Sequence, residues 1–263
     1  MDDSMMRRMW YTNNEVRFEI CKALRKKELQ IIGEGISIRW LNCQFVKILD
    51  SIIDHLNIEK RASSFYMSLD NYSSIPLMSF NLHKRQEQYK EWSQIRKNRV
   101  IGSDFGLDLD CKKGSYKDVI QDAQKIIDLF DSYNVKYCFW MSGSHGFHFI
   151  IPYEDLPQDV KNLTNTKLLA FYKRFAEILA EKVKSIDLSI YMPTRVLKCP
   201  YTLEKHGRVI LPLDKYTWQK LKENNLQFNP LWILKNIKIR DRGVYLQGSS
   251  EGIKNLIKNW EGW

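Results

Sequence analysis

Residues 100 to 151 constrain this chain most, because there the hydrophobic period switches in step with the turn residues. The alternation from Val100 to Cys111 predicts a strand, and Lys112-Lys113-Gly114 predicts a turn. Ser115, with Asp118 at the third position, reads as a capping box. It opens a helix whose apolar stripe is Val119, Ile120, Ala123, Ile126, Ile127 and Phe130. A strand from Lys136 to Ser142, the tight Gly143-Ser144-His145-Gly146 connection and a strand from Phe147 to Ile151 closed by Pro152 predict a β-hairpin. Alternate side chains of a strand share a face. Asp108 and Asp110 therefore project together, while Leu107, Leu109 and Cys111 point into the core. By the same alternation His148, between Phe147 and Phe149, leaves the apolar side.

The flanking segments supply helices and further strands. Asn13 or Asn14 caps an expected helix reaching about Lys27, with Val16, Ile20, Ala23 and Leu24 inward. Strands are expected at 36–40 and 63–69, and the apolar positions between Phe45 and Leu56 repeat at helical spacing. The charged stretch from Leu82 to Arg99, with Tyr89 and Trp92, reads as a surface helix or a basic arm. A second long helix is expected over 164–184, strands over 187–191 and 208–213, a short helix around Trp218 and Leu221, and a closing helix over 249–260. Hairpins mixed with helices predict an α+β fold with mixed or antiparallel sheets flanked by helices. The expected organisation is a single domain, residues 1–263, with an N-terminal α/β module (1–99) and a motif-bearing module (100–263).

Lys and Arg number 41 against 31 Asp and Glu, a formal charge of +10, which favours a polyanionic partner through counterion release. Nucleic acid heads that class, and a solvated basic surface is the bland alternative. Cys21, Cys43, Cys111, Cys138 and Cys199 are scattered, so neither a disulfide framework nor a zinc knuckle is indicated. The first 20 residues carry charges at Asp2, Asp3, Arg7, Arg8, Glu15 and Arg17, among others, and no apolar run fit for a signal peptide or membrane span. An intracellular protein with no membrane partner is expected.

Two adjacent carboxylates are unfavourable unless a cation sits between them, and hard oxygen donors suit Mg²⁺ or Mn²⁺. Asp187, in Ile186-Asp187-Leu188, is the candidate third acid, and Asp104 is a candidate outer helper on the strand face of Asp108. The glycine-flexed Ser142-Gly143-Ser144-His145-Gly146 turn is suited to presenting N–H groups and hydroxyls to a phosphate. The His148 imidazole would add a charge-assisted hydrogen bond, and Arg195 with Lys198 would clamp a triphosphate. Taken singly, these are also a surface turn, a structural histidine and a solvated basic pair.

Taken in order from Val100 to Leu213, the motifs resemble those of the archaeo-eukaryotic primase superfamily, which includes the small catalytic subunits of DNA primases and the primase-polymerases. Gly106-Leu-Asp-Leu-Asp110 is similar to its first motif and Ser142-Gly-Ser-His-Gly-Phe-His148 to its second. Asp187 falls at its third metal-binding acid, followed by a basic, proline-containing tail over 195–203 and 207–212. The resemblance implies a primase-polymerase catalytic core with an RRM-like module. Zinc and helical insertions are not expected, since only Cys111 and Cys138 lie between the first two motifs and 39 positions separate His148 from Asp187. Glu204 stands where the family often has a histidine, with His206 two residues on, and His145 stands where it often has a basic residue.

The implied activity is template-directed synthesis of short RNA or DNA primers on single-stranded DNA by two-metal nucleotidyl transfer. Asp108, Asp110 and Asp187 would hold two Mg²⁺ or Mn²⁺ ions, and Ser142, Ser144, His145, His148, Arg195 and Lys198 would bind the nucleoside triphosphate. A primase large subunit is a candidate partner. Two other readings stand beside this one. An end-joining repair polymerase of the same superfamily is suggested by the short hairpin and the Pro200-Tyr-Thr202 turn, and a non-catalytic nucleic-acid-binding subunit is opposed by the intact acids.

Overall fold

Side-chain caps set the first two helices. Asp2 accepts from the amide of Ser4 and opens α1 (Asp3–Thr12), and Asn13 accepts from Glu15 and Val16 and opens α2 (Asn14–Ala23). The computed structural model describes residues 2–34, 36–41, 46–58, 63–74, 99–111, 115–143, 145–192, 195–239, 245–246 and 248–259. The basic stretch over 82–98, including Tyr89 and Trp92, lies outside them.

In chain order there follow β1 (Leu29–Gly33), β2 (Ile36–Leu41), α3 (Val46–Leu56), β3 (Ser63–Ser68), β4 (Asp70–Tyr72), β5 (Val100–Ser103) and β6 (Phe105–Leu109). After β6 come α4 (Tyr116–Ser132), β7 (Tyr137–Met141), β8 (Phe147–Ile151), the short α5 (Gln158–Lys161) and α6 (Asn165–Lys182). The remaining elements are β9 (Val196–Lys198), α7 (Lys215–Lys222), α8 (Pro230–Asn236), β10 (Tyr245–Leu246) and α9 (Ser250–Asn259). Among the described residues the strands form two antiparallel four-stranded sheets, β2-β1-β3-β9 and β10-β7-β8-β6, and a β4-β5 ribbon.

The second sheet carries the motifs, and its register explains its two faces. Leu107 pairs with Phe149 and Phe149 with Phe139, so these side chains share one face. There Phe139 stacks on Phe149 at 4.4 Å, Phe130 of α4 meets Phe149 edge-on, and Trp218 of α7 meets Phe139 and Phe147. Each such ring removed from water contributes about 1.5–3 kcal/mol, which fixes the sheet against its helices. The capping box of Ser115 and Asp118 starts α4 as the sequence predicts. The opposite face carries the rung Asp108–His148–Trp140.

Four expectations are corrected. The strand expected over 100–111 breaks at Asp104, so β5 pairs with β4 while β6 joins the second sheet. Asp104 is no helper of the acids: its carboxylate accepts Lys27 Nζ at 2.6 Å, Asn71 Nδ2 at 2.7 Å and the amide of Tyr153 at 2.9 Å. The strand expected over 187–191 is a 3₁₀ turn, Leu188–Ile190, capped by Asp187. Over 208–213 there are bridges at Val209 and Pro212 rather than a strand, Pro212 having no N–H to donate.

Lys27 and Asp104 are both buried, so removing one partner strands a charge. Lys27→Met is expected to cost about 3–5 kcal/mol in urea unfolding. Lys27→Met with Asp104→Asn is expected to cost less, because asparagine keeps an acceptor for Asn71 and Tyr153 without the charge. A double variant no more stable than Lys27→Met would refute this account.

Candidate active site

The acid site begins with backbone pairing. Leu109 forms an antiparallel bridge with Ile186, the amide of Asp110 donates to Ser185 O at 2.9 Å, and the amide of Asp187 donates to Asp108 O at 2.7 Å. The segment before the 3₁₀ turn is thereby laid along the end of β6, and Asp108, Asp110 and Asp187 bring carboxylate oxygens within 4.8 Å of one another. Asp187 is buried and the other two are half-buried. Ser189 fixes the third acid, its amide donating to Asp187 Oδ1 at 3.0 Å and its hydroxyl to Oδ2 at 2.9 Å. Beneath them Tyr191 donates to Gly106 O at 2.7 Å. Burial first, then the charges of Asp108 and Asp187, hold that phenol well above its ordinary pKa, so it stays a neutral donor.

The acids suit a hard divalent cation by donor type and by one unmet need. Asp108 Oδ1 is buried with no hydrogen-bond donor among the described residues. His148 Nε2 lies 3.3 Å away, within ion-pair reach when protonated but not aligned as a hydrogen bond. The other imidazole nitrogen, Nδ1, is also buried without a partner among the described residues. His148 is 3 % exposed and meets Trp140 edge-on, which holds the ring toward the acids.

The second motif packs directly on the first. The amide of Ser142 donates to Gly146 O at 2.9 Å and closes the turn, with Gly143 at φ 84°. A Cβ on Gly146 would lie 2.4 Å from Leu109 O and 2.9 Å from Asp110 Oδ1, so only glycine lets the turn sit against the acid strand. Lys198 reaches from β9 to the same turn, its Nζ donating to Ser142 O at 2.8 Å. Burial lowers the Lys198 pKa below the ordinary lysine value, opposed by Glu204, Asp110 and Asp108. Ser142 is buried and His145 is exposed, its ring edge-on to Tyr116 at 5.8 Å. Ser144 lies outside the described residues.

Arg195 and Lys198 do not stand side by side. Arg195 precedes β9 and lines a different small pocket with Asp104, Tyr172, Tyr191 and Met192. A spacing of three residues reverses sides along an extended chain. Sequence reasoning missed two features. One is a cavity of about 290 Å³ on the sheet face of His148, lined by Trp140 and Ile150 and by Lys22, Arg25, Lys26 and Lys27. The other is the environment of Glu204, which is buried against the turn. Clustered lysines just after α2 were the available signal for the first.

Two antiparallel four-stranded sheets, the second carrying the acid-bearing strand β6 and the serine-histidine hairpin, make a fold similar to that of a solved polymerase domain. The polymerase domain of Mycobacterium tuberculosis Ligase D, in a structure with DNA, is similar over 90% of this chain and 90% of that one, with a TM-score of 0.57 and 13% sequence identity. No protein-family model and no curated protein sequence matches the chain. Among the described residues no helix is long and apolar enough to cross a membrane.

Two predictions follow from the packing of these acids. Asp187→Asn relieves like-charge repulsion, so it is expected to raise the melting temperature without metal and to abolish the rise produced by Mn²⁺ in the parent chain. An undiminished Mn²⁺ response in differential scanning calorimetry would refute metal binding by Asp187. Gly146→Ala is expected to lower the melting temperature and weaken the Mn²⁺ response together, since the added methyl displaces both Leu109 O and Asp110.

Proposed function

We propose that this chain is a metal-dependent nucleotidyltransferase that copies a DNA template, acting as a DNA primase catalytic subunit or primase-polymerase. The observation that carries the reading is the meeting of three acids from two separate segments beside the hairpin that bears Ser142 and His148. Asp108, Asp110 and Asp187 are the proposed ligands of two Mg²⁺ or Mn²⁺ ions. Such ions, when bound, activate an attacking 3′ hydroxyl and neutralise the leaving pyrophosphate.

The chain's own residues bind and orient. Ser142, Ser144 and His145 offer hydroxyls, amides and a ring to the triphosphate at the turn. His148 offers an imidazole N–H as a hydrogen-bond donor to a phosphate oxygen. Lys198 supplies a cation already tied to the turn, and Arg195 supplies one from the flank. Single-stranded DNA is the proposed template, its backbone held by cations such as Lys22, Arg25 and Lys26 at the mouth of the 290 Å³ cavity. The whole chain serves as one catalytic unit, and a primase large subunit would dock on α1 and α2, where Met5 and Phe18 are exposed.

The likeness to the Ligase D polymerase domain favours a second reading equally, gap filling in end joining. Both use the same acids on different DNA. The purified chain with Mn²⁺ and labelled nucleotides is expected to form product, and Asp108→Ala with Asp110→Ala to abolish it while DNA binding persists. Product on unprimed single strands marks a primase, and product confined to gapped, 5′-phosphorylated duplexes marks the repair enzyme. Full activity in the double variant would overturn the assignment of the acids.

A further inference from the structure

A second turn, after Leu203, sets a charged pair against the hairpin. Leu203 and Val209 form an antiparallel bridge, the amide of Glu204 donates to Arg208 O at 2.9 Å, and the amide of Gly207 donates to Glu204 O at 2.9 Å. Gly207 takes φ 78°, which lets three residues close the loop. These bonds hold Glu204 and Arg208 opposite one another at its neck. Arg7 Nη2 donates to Lys205 O at 2.7 Å and ties the loop to α1.

Glu204 is 2 % exposed, and its Oε1 accepts Arg208 Nε at 3.2 Å and the amide of His206 at 2.9 Å. It packs under the turn of the second motif, where a Cβ on Gly143 would come 2.8 Å from its Cγ. An acid so close to a phosphate site is unfavourable unless a cation answers it, and here Arg208 does. Lys198 reaches the same turn, its Nζ donating to Ser142 O beside Gly143, against which Glu204 packs. Arg208 also acts on Tyr116, the ring that borders His145. The guanidinium is 38 % exposed and commits only Nε among the described residues, leaving two terminal amino groups as donors. A planar fork held at one corner suits two phosphate oxygens.

Resting on the nucleotidyltransferase reading above, we propose that Arg208 binds the triphosphate and that Glu204 is its positioning residue, holding Nε so that the terminal amino groups face the phosphates beside Lys198. Glu204 in this chain therefore acts through an arginine rather than touching the nucleotide.

The test is calorimetric titration of the full chain with a nonhydrolysable nucleoside triphosphate, and with the matching monophosphate, in Mg²⁺. Arg208→Ala is expected to weaken triphosphate binding about tenfold or more, the scale of a lost charge-assisted hydrogen bond, and monophosphate binding far less. Arg208→Lys is not expected to restore it, because lysine has no corner for Glu204 to hold. Glu204→Gln is expected to weaken triphosphate binding severalfold, and to add nothing once Arg208 is alanine. Thermal unfolding is followed in parallel, and Glu204→Asp completes the cycle if Glu204→Gln does not fold. Unchanged triphosphate affinity in Arg208→Ala overturns the assignment, and a Glu204→Gln effect that persists without Arg208 overturns the positioning role. A parent chain that binds no triphosphate at all overturns the nucleotidyltransferase reading itself, an outcome distinct from either.

Discussion

Everything in the cleft depends on holding three like charges close together without letting them separate. Unit charges a few ångströms apart repel by several kcal/mol at a protein surface. Flexible side chains would swing away if the backbone allowed it. Here the amide of Asp187 is bonded to Asp108 O and the amide of Asp110 to Ser185 O, so main-chain bonds set the separation. Ser189 then pins the Asp187 carboxylate, and Tyr191 anchors the strand beneath through Gly106. The repulsion is stored in the fold and is available to an incoming cation.

That arrangement has meaning only in one register of the sheet. Asp108 faces His148, which faces Trp140, while Leu107, Phe149 and Phe139 form the neighbouring rung on the other side. A slip of one residue in β8 would drive His148 among the aromatic rings under α4 and put a phenylalanine beside the acids. The turn prevents the slip at one end, because Gly146 fits against Leu109 O only in this alignment. The aromatic stack prevents it on the opposite face. Core packing and the candidate chemistry are two sides of the same pairing.

Local signals were legible in the sequence and distant pairings were not. The capping box at Ser115, the stripe of α4, the hairpin and the shared face of Asp108 and Asp110 each follow from residues within one or two turns of chain. Helix α1 was missed because its buried residues are Arg7, Trp10 and Tyr11, an unusual stripe for a helix. The break at Asp104 depends on Lys27, 77 positions away, and no local pattern announces such a partner. The 3₁₀ turn after Asp187 resembled a strand because Ile186, Leu188 and Ile190 alternate with polar residues, a period that three residues of 3₁₀ helix can also accommodate. The separation of Arg195 from Lys198 follows from strand parity, since Lys198 ends β9 and Arg195 precedes it, whereas their spacing of three alone suggested a joint clamp.

Asp104 and Asp108, four residues apart on either side of a strand break, are acids of two kinds. Asp104 accepts a buried lysine, an asparagine and an amide, so its charge is neutralised within the fold. Asp108 keeps a buried oxygen without a donor among the described residues and has two further carboxylates at its side. Burying a charge is tolerated when a partner is present, and a buried carboxylate oxygen without a donor is open to a cation from outside. The same rule separates Glu204, whose oxygen is taken by Arg208 and a backbone amide, from Asp108. What distinguishes Asp108 is an oxygen that no donor among the described residues occupies, the neighbouring ammonium of Lys198 being directed to Ser142 O.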